Sequence, residues 1–210
     1  METKIQFEDH LTLVLRDQDL AISGEQLAML SKHFNLLQKW QDVHNLTTVR
    51  GVDNIVFHHY LDCLLGLSFL PTPKAVFDFG SGAGFPGLIA AVLWPNTSVT
   101  LVEASRKKCS FLREASREMG LRNLEIKQLR VEGLKDVQFG ISRATFSLST
   151  LQLASKALAI NGQMALWLTG PSEKAAEYGR FKLVKKKEFV YQWPGIEPRK
   201  VVLLKKAEIV

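Results

Sequence analysis

The ten residues Asp78-Phe79-Gly80-Ser81-Gly82-Ala83-Gly84-Phe85-Pro86-Gly87 constrain the fold of this chain more than any other segment. They follow a short run of strand formers, Ala75 to Phe79, and precede an apolar stretch of helical character, Leu88 to Trp94. Glycine accepts positive φ and lets a ligand approach the backbone where a Cβ would block it. Proline suits the first turn of a helix, whose free N–H groups then face whatever sits in the loop. A strand that turns sharply on glycines into a helix opens a βαβ unit.

The same alternation continues downstream. Ser98–Glu103 is a second strand, and about Ser105 to Met119 a helix. Leu124–Gln128 and Phe139–Ser142 are further strands, Leu148–Ile160 reads as a helix, and Gln163–Leu168 as a fifth strand. Phe181–Trp193 and Lys200–Lys205 are two strand-like stretches joined by Pro194-Gly195-Ile196-Glu197-Pro198, an antiparallel hairpin for the sheet edge. The expected fold is α/β, a Rossmann-like doubly wound sheet with an antiparallel C-terminal hairpin. Ahead of it, residues 1–70 read as a helical extension. Phe7, Leu11, Val14 and Leu15 share one helix face, and Leu27, Leu30, Phe34, Leu37 and Trp40 continue a second stripe after a capping-box pair, Ser23 and Gln26. A third helix is expected from about Asp53 to Leu67, and Pro71-Thr72-Pro73 marks the boundary before a domain over 71–210.

With 46% hydrophobic and 23% charged residues the composition is that of a globular chain. No apolar run approaches the 18 or so residues that cross a bilayer, and the acid-containing N-terminus lacks secretory-signal character. Cys63 and Cys109 have no CxxC spacing and suit free buried thiols, so a cytoplasmic location is expected. The net charge of +6 is unevenly spread. Residues 1–62 hold 5 basic and 9 acidic residues, so the remainder carries +10, which points to a polyanionic partner such as nucleic acid.

Two cofactor classes compete for the glycine loop. Gly82 to Gly87 matches the dinucleotide fingerprint GxGxxG, and Glu103, at the tip of the second strand, suits a ribose hydroxyl pair. Asp78 separates the two. A pyrophosphate beside that carboxylate costs roughly 4 kcal/mol at about 4 Å and an effective dielectric near 20. S-adenosylmethionine instead brings an ammonium and a sulfonium. An acid two residues before the first glycine, GxGxG, and an acid ending the second strand form the pattern of class I methyltransferases, so methyl transfer is expected. A loop-capping carboxylate is the plainer reading of Asp78. A Walker A loop is excluded because no Lys-Ser/Thr pair follows the glycines.

The end of the fourth strand, Ile141-Ser142-Arg143-Ala144-Thr145-Phe146, lacks the Asn/Asp-Pro-Pro-aromatic element used on exocyclic amines. Neither cysteine has the setting of a cytosine C5 nucleophile. A ring nitrogen such as guanine N7 carries no proton to remove and needs alignment more than a base. Arg143 is placed to meet the guanine edge or a phosphate, or to close over the cofactor; a strand-end salt bridge is the alternative.

Several motifs resemble the bacterial ribosomal small subunit methyltransferase G family, also called glucose-inhibited division protein B. These are Leu37-Gln38-Lys39-Trp40, Asn45-Leu46-Thr47-Thr48-Val49-Arg50, His59-Tyr60-Leu61-Asp62, the Asp78–Gly87 loop and Ile141-Ser142-Arg143-Ala144. The likeness runs in order from about residue 30 to 205. It implies an S-adenosylmethionine-dependent enzyme acting on guanine N7 of 16S ribosomal RNA, in the small subunit or its assembly intermediates. It also implies cofactor contacts at Gly80 and Phe85, with Glu103 near the ribose, beside the contacts that the loop's own chemistry suggests at Asp78, Gly82 and Gly84. Val131 and Glu132 would flank the adenine, and Arg143 would complete the pocket; its place at the end of the fourth strand makes it the expected catalytic residue. Relatives commonly have Asp at the position of Glu103 and Lys-Gly where Thr169-Gly170 stands, leaving any RNA contact there to neighbours such as Lys174.

Other features have plain readings beside functional ones. Arg106, Arg113 and Arg117 share one helix face, an RNA-facing ridge or a solvated surface. Lys185-Lys186-Lys187 alternates across a strand, so at most two serve one surface, and solvated edge lysines are the alternative. The five histidines show no metal-ligand spacing, so no metal is expected; His59 and Asp62 suit a hydrogen bond linking the extension to the sheet. Trp193 is a core residue or a base-stacking platform. A monomer is expected. A small-molecule methyltransferase, a nicotinamide-dependent reductase and a non-catalytic cofactor-sensing RNA-binding module remain the competing functions.

Overall fold

Helix formation at the N-terminus follows from two apolar stripes that need each other. In the computed structural model, which describes residues 2–44, 46–143, 148–169, 183–193 and 197–208, α1 spans Glu2–Arg16 and α2 spans Gly24–His44. The capping box forms as expected: Gln26 N–H donates to Ser23 Oγ (3.1 Å) and Ser23 N–H to Gln26 Oε1 (2.8 Å). Phe7 stacks on Phe34 at 4.3 Å between ring centres and meets Tyr60 edge-on at 4.8 Å, all three fully buried. The third helical region runs from Val52 to Ser68 but is not uniform. An α segment, α3 (Val52–Ile55), passes into a π-helix (Val56–Leu61) and then into α4 (Asp62–Ser68). Periodicity does not distinguish a π turn from an α turn, so the sequence pattern showed only one helix there.

The sheet has seven strands in the order β3-β2-β1-β4-β5-β7-β6. Strands β1 (Ala75–Phe79), β2 (Ser98–Val102), β3 (Leu124–Lys127), β4 (Val137–Ser142) and β5 (Leu158–Thr169) are parallel. Strands β6 (Leu183–Tyr191) and β7 (Arg199–Lys206) are antiparallel to each other, and β7 joins the sheet antiparallel to β5. The expected hairpin is therefore present, with its second strand inside and its first at the edge. Helices α5 (Gly87–Leu93), α6 (Arg106–Met119) and α7 (Leu148–Ala157) complete the βαβ units. Helix α7 is shorter than its apolar pattern implies, because Leu158 already pairs with Val137 in β5. The Asn161-Gly162 pair then bends the strand: Asn161 has φ 64°, and a Cβ on Gly162 would lie 2.6 Å from Val137 O.

Helix α6 ends on Gly120 in the left-handed conformation and keeps Phe111, Leu112, Ala115 and Met119 buried, with Arg106, Arg113 and Arg117 exposed. Asn123 ties α5 to the sheet through one amide that reaches Ala91 O, Trp94 O and Thr97 O, each at 3.1 Å. The main core is continuous from Phe7 and Leu30 through Leu64 and Phe85 to Leu203, so the N-terminal helices and one face of the sheet share it. Neighbouring strands leave β1 in opposite directions on either side, which places the switch point between β1 and β4 at their carboxyl ends. Both cysteines are buried and free, and Trp193 is buried, which removes it as an exposed stacking platform. Among the described residues, no helix is long and apolar enough to cross a membrane and no group of side chains could hold a metal ion.

Truncating the Phe7 ring removes a wall of this shared core. Phe7→Ala is expected to lower unfolding free energy by about 3–5 kcal/mol in a urea titration, the usual cost of deleting a buried aromatic ring.

Candidate active site

At the carboxyl end of β1 the chain turns on three glycines with positive φ: Gly80 (75°), Gly82 (57°) and Gly84 (92°). The amides of Gly80 and Ser81 both donate to Val102 O, at 2.9 and 3.1 Å, so the loop is laced to the end of β2. A Cβ added to Gly80 would meet nothing within 4 Å, so this glycine faces open space. Gly84 differs: its missing Cβ is replaced by the side chain of Leu88, one turn into the next helix. The Gly80 edge is open to a ligand, and the Gly84 edge is packed against the protein.

Two carboxylates hold this loop from either side. Glu103 accepts from Gly82 N–H at Oε2 (3.0 Å) and from Ser105 N–H at Oε1 (2.8 Å), bridging the loop and the start of α6. Each of its oxygens keeps a further acceptor lone pair. Asp78 lies beneath the loop, fully buried, and accepts from Gly87 N–H at 3.1 Å. The capping reading of Asp78 is thus realised through Oδ2, while Oδ1 is buried with no hydrogen-bond partner. Burial pushes its pKa up to about 7, opposed by the nearby Ser81 hydroxyl, which donates to Asp78 O (3.1 Å), by the hydrogen bond from Gly87 and by the charge of Arg143. A buried acceptor without a donor is costly. Its environment suits a cationic ligand and penalises an anionic one.

Phe85 is packed inside an aromatic cluster rather than standing open. It stacks on His59 at 4.7 Å and meets His33 and Tyr60 edge-on, with the Arg143 guanidinium 5.1 Å from its ring centre. His33 was invisible to spacing arguments, because a lone histidine on an apolar stripe has no pattern. It is fully buried, with Nε2 against Ala83 O at 2.9 Å and Nδ1 against Tyr60 Oη at 2.8 Å. Burial lowers its pKa to about 4, so it is neutral. The Nε2–H tautomer donates to the loop carbonyl while Tyr60 donates to Nδ1, so helix α2 and the π-helix grip the glycine loop through one imidazole.

Arg143 follows the last residue of β4 and reaches across to the π-helix. Its Nη1 donates to His58 O (2.6 Å) and faces Asp62 Oδ2 (3.3 Å), and its Nη2 donates to His59 Nδ1 (2.9 Å). His59 is therefore the Nε2–H tautomer, donating to Thr47 Oγ1 at 2.7 Å. Burial and the adjacent Arg143 charge lower its pKa to about 2. The expected His59–Asp62 hydrogen bond is not made; the two residues instead meet the same guanidinium. Asp62, with no exposed surface, also accepts from Tyr191 Oη (2.8 Å) and from Arg199 Nε (3.2 Å) and Nη2 (2.9 Å). Its backbone carbonyl accepts from the Trp167 indole at 3.0 Å. The strand-end salt bridge considered for Arg143 thus exists, at the mouth of the switch point. A π turn is a common accompaniment of such sites.

Val131 and Glu132 lie on a 3-10 turn after β3 (Val131–Gly133). Val131 is half-buried against the cluster containing Phe79 and Val102, and Glu132 is exposed. Ala144, Thr145 and Phe146 of the acceptor segment, with Gly170 and Lys174, lie outside the described residues. Glu103, the open glycine edge, Val131 and Arg143 all occupy the carboxyl ends of the strands.

Residues 26–202 match the family described as rRNA small subunit methyltransferase G. The chain belongs to that family. Curated members named ribosomal RNA small subunit methyltransferase G include those of Halorhodospira halophila and Nitrosomonas europaea. The first is 39% identical over 139 residues, covering 65% of this chain and 66% of the relative. The second is 42% identical over 144 residues, 67% of each. The alignments thus span about two thirds of these family members. Solved structures show the shared fold at lower identity. A methyltransferase from Pyrococcus furiosus superposes with a TM-score of 0.56 at 14% identity, over 85% of this chain and 98% of that one. TYW2 from M. jannaschii, solved with AdoMet, gives 0.54 at 16%, covering 72% and 76%. The 16S rRNA methyltransferase KamB gives 0.53 at 12%, covering 65% and 89%. His59 and Asp62 of one motif and Arg143 of another, about 80 residues apart in the chain, meet in one cluster.

Asp62→Asn leaves two guanidinium groups facing a neutral amide in a buried setting. Unfolding free energy should fall by about 3–5 kcal/mol, read by urea titration, as for other buried ion pairs stripped of one partner.

Proposed function

We propose that this chain transfers a methyl group from S-adenosylmethionine to N7 of a guanine in 16S ribosomal RNA. Family membership and the glycine loop support the reading, and the unpaired Oδ1 of Asp78 is the observation that carries the choice of a cationic donor. Gly80, Gly82 and Gly84 shape the backbone cradle, Glu103 presents acceptor lone pairs for ribose hydroxyls, and Val131 and Glu132 flank the adenine. S-adenosylmethionine supplies a methyl carbon activated by its sulfonium.

The protein's own work is alignment. Guanine N7 offers an in-plane lone pair and carries no proton, so no general base is required. This agrees with the neutral, hydrogen-bonded states of His33 and His59, neither of which is free to accept a proton. Arg143, 14% exposed and engaged by His58, His59 and Asp62, would meet the O6/N7 edge or a phosphate through its outer Nη2 edge. Its pairing with Asp62 offsets its positive charge, which matters because N7 methylation places a positive charge on the base. The net charge of +10 over residues 63–210 suits an RNA substrate in the small subunit or its assembly intermediates.

The direct test is mass mapping of 16S RNA from cells lacking this protein: one methylguanine should be missing and should return with the wild-type chain. An unchanged map rejects the proposed substrate. Arg143→Ala leaves Asp62 with Arg199 and Tyr191, so the chain should fold. Its methyl transfer should drop roughly 100-fold, the scale of a misaligned reactant. Wild-type rates in that variant would remove Arg143 from the mechanism.

Cofactor affinity should depend on pH through Asp78. Its carboxyl is raised to about 7 in the free protein, and a nearby cation favours the ionised form, so binding below that pH releases a proton. The dissociation constant for S-adenosylmethionine should therefore rise up to about tenfold per unit as pH falls from 7 toward 5. Asp78→Asn should bind more weakly at pH 8 and lose this dependence; calorimetry in two buffers reads both. In the free protein the sign is opposite. The raised carboxyl stabilises the fold at low pH and loses that contribution as pH climbs from about 4 through 7.

A further inference from the structure

On the sheet face shared with α4, at the end remote from the glycine loop, lies an open groove of about 600 Å³. One wall is apolar, formed by Phe69, Leu70 and Leu203; the other carries Lys186, Lys187 and Lys205. No carboxylate lines it among the described residues. Neighbouring Lys185 is engaged by Glu188 at 2.6 Å, which leaves the three groove lysines as the local positive charge.

Consecutive residues of a regular strand point to opposite faces, so Lys186 and Lys187 should not share a groove. They do because the β6–β7 register shifts between Lys185 and Lys187. A bulge of this kind at a sheet edge re-aims a side chain. It gathers two adjacent lysines beside Lys205 of the next strand. Between them and α4, Phe69 stacks on Phe189 with 5.0 Å between ring centres and an 8° tilt, yet stays 38% exposed. A cationic track beside an exposed aromatic ring is the chemistry of single-stranded nucleic acid binding, lysines meeting phosphates and the ring a base.

We propose that this groove is a second RNA-docking site that holds an unpaired strand of the substrate. The proposal rests on the reading of the chain as an RNA methyltransferase and adds a contact distant from the chemistry. Gln163 at the groove and Thr169 near the switch point are separated along β5 by about 20 Å, at 3.3 Å per residue. A substrate touching both ends must reach across about 20 Å, which favours an RNA of several nucleotides over a small metabolite.

The experiment measures binding of a labelled oligouridylate to the full chain by anisotropy across a salt series. A variant with Lys186, Lys187 and Lys205 changed to Glu is compared with a charge-matched control, Lys4, Arg16 and Lys32 changed to Glu on α1 and α2. The groove variant should bind roughly tenfold more weakly than the control, with a log–log salt slope shallower by about 2, from three phosphate contacts at about 0.7 each. Changing the same three lysines to Arg should retain binding. Equal affinities of the groove variant and the control would overturn the proposal. Retained RNA binding with loss of an oligoglutamate peptide would also overturn it, assigning the groove to an acidic protein segment. If the wild type methylates no 16S RNA while lysine-dependent RNA binding persists, the methyl-transfer reading fails and the groove stands.

Discussion

The fold of this chain turns on one buried carboxylate. Asp62 has no contact with solvent, and an isolated charge in that position would be prohibitive. It is tolerated because donors converge on it from three strands: Arg143 after β4, Tyr191 at the end of β6 and Arg199 at the start of β7. Trp167 of β5 binds the carbonyl of the same residue, and Gly66, one turn later, lies so close to that indole that a Cβ would overlap it. The helical region 52–68 is thereby locked to the antiparallel half of the sheet. Removing one donor leaves the charge partly matched; removing the carboxylate leaves two guanidinium groups facing each other.

This lock decides where the switch point can be used. By drawing Arg143 toward the π-helix, Asp62, His58 and His59 hold the guanidinium over Phe85 instead of letting it swing into solvent. The glycine loop is fixed separately, from below by Asp78 on Gly87, from the side by Glu103 on Gly82, and from above by His33 on Ala83. The loop that would cradle a cofactor and the arginine that would meet an acceptor are thus both positioned by helices N-terminal to the sheet. The helical extension shares the core of the sheet and positions the loop and the arginine.

Much of this was legible in residue order. Strand β1 matches its expected span to the residue, because Pro71 and Pro73 before it and Gly80 after it punctuate both ends. The Ser23–Gln26 capping box and the Phe7–Leu15 stripe follow from short-range rules and formed as read. What was missed depends on distant partners. The π turn at Val56–Leu61 leaves no periodic mark. The His33 imidazole bridges residues 50 positions apart in the chain. The bulge that sets Lys186 beside Lys187 arises from pairing with β7, not from the lysines themselves. Helix α7 lost its last residues to a strand because Val137 offered Leu158 a ladder that helix propensity could not foresee.

The sequence alone determined the strand–glycine–helix opening, the alternation that makes the sheet parallel, the acids at Asp78 and Glu103 and the family motifs, all properties of local spacing and side-chain chemistry. Tertiary structure decided what each charged group faces. It sank Asp78 beneath the loop with one oxygen unpaired, turned Arg143 onto Asp62, and gathered three lysines at the far end of the sheet. The division has a simple cause: backbone preferences act over a few residues, whereas the cost of burying charge is settled by whichever groups the fold brings within hydrogen-bonding reach.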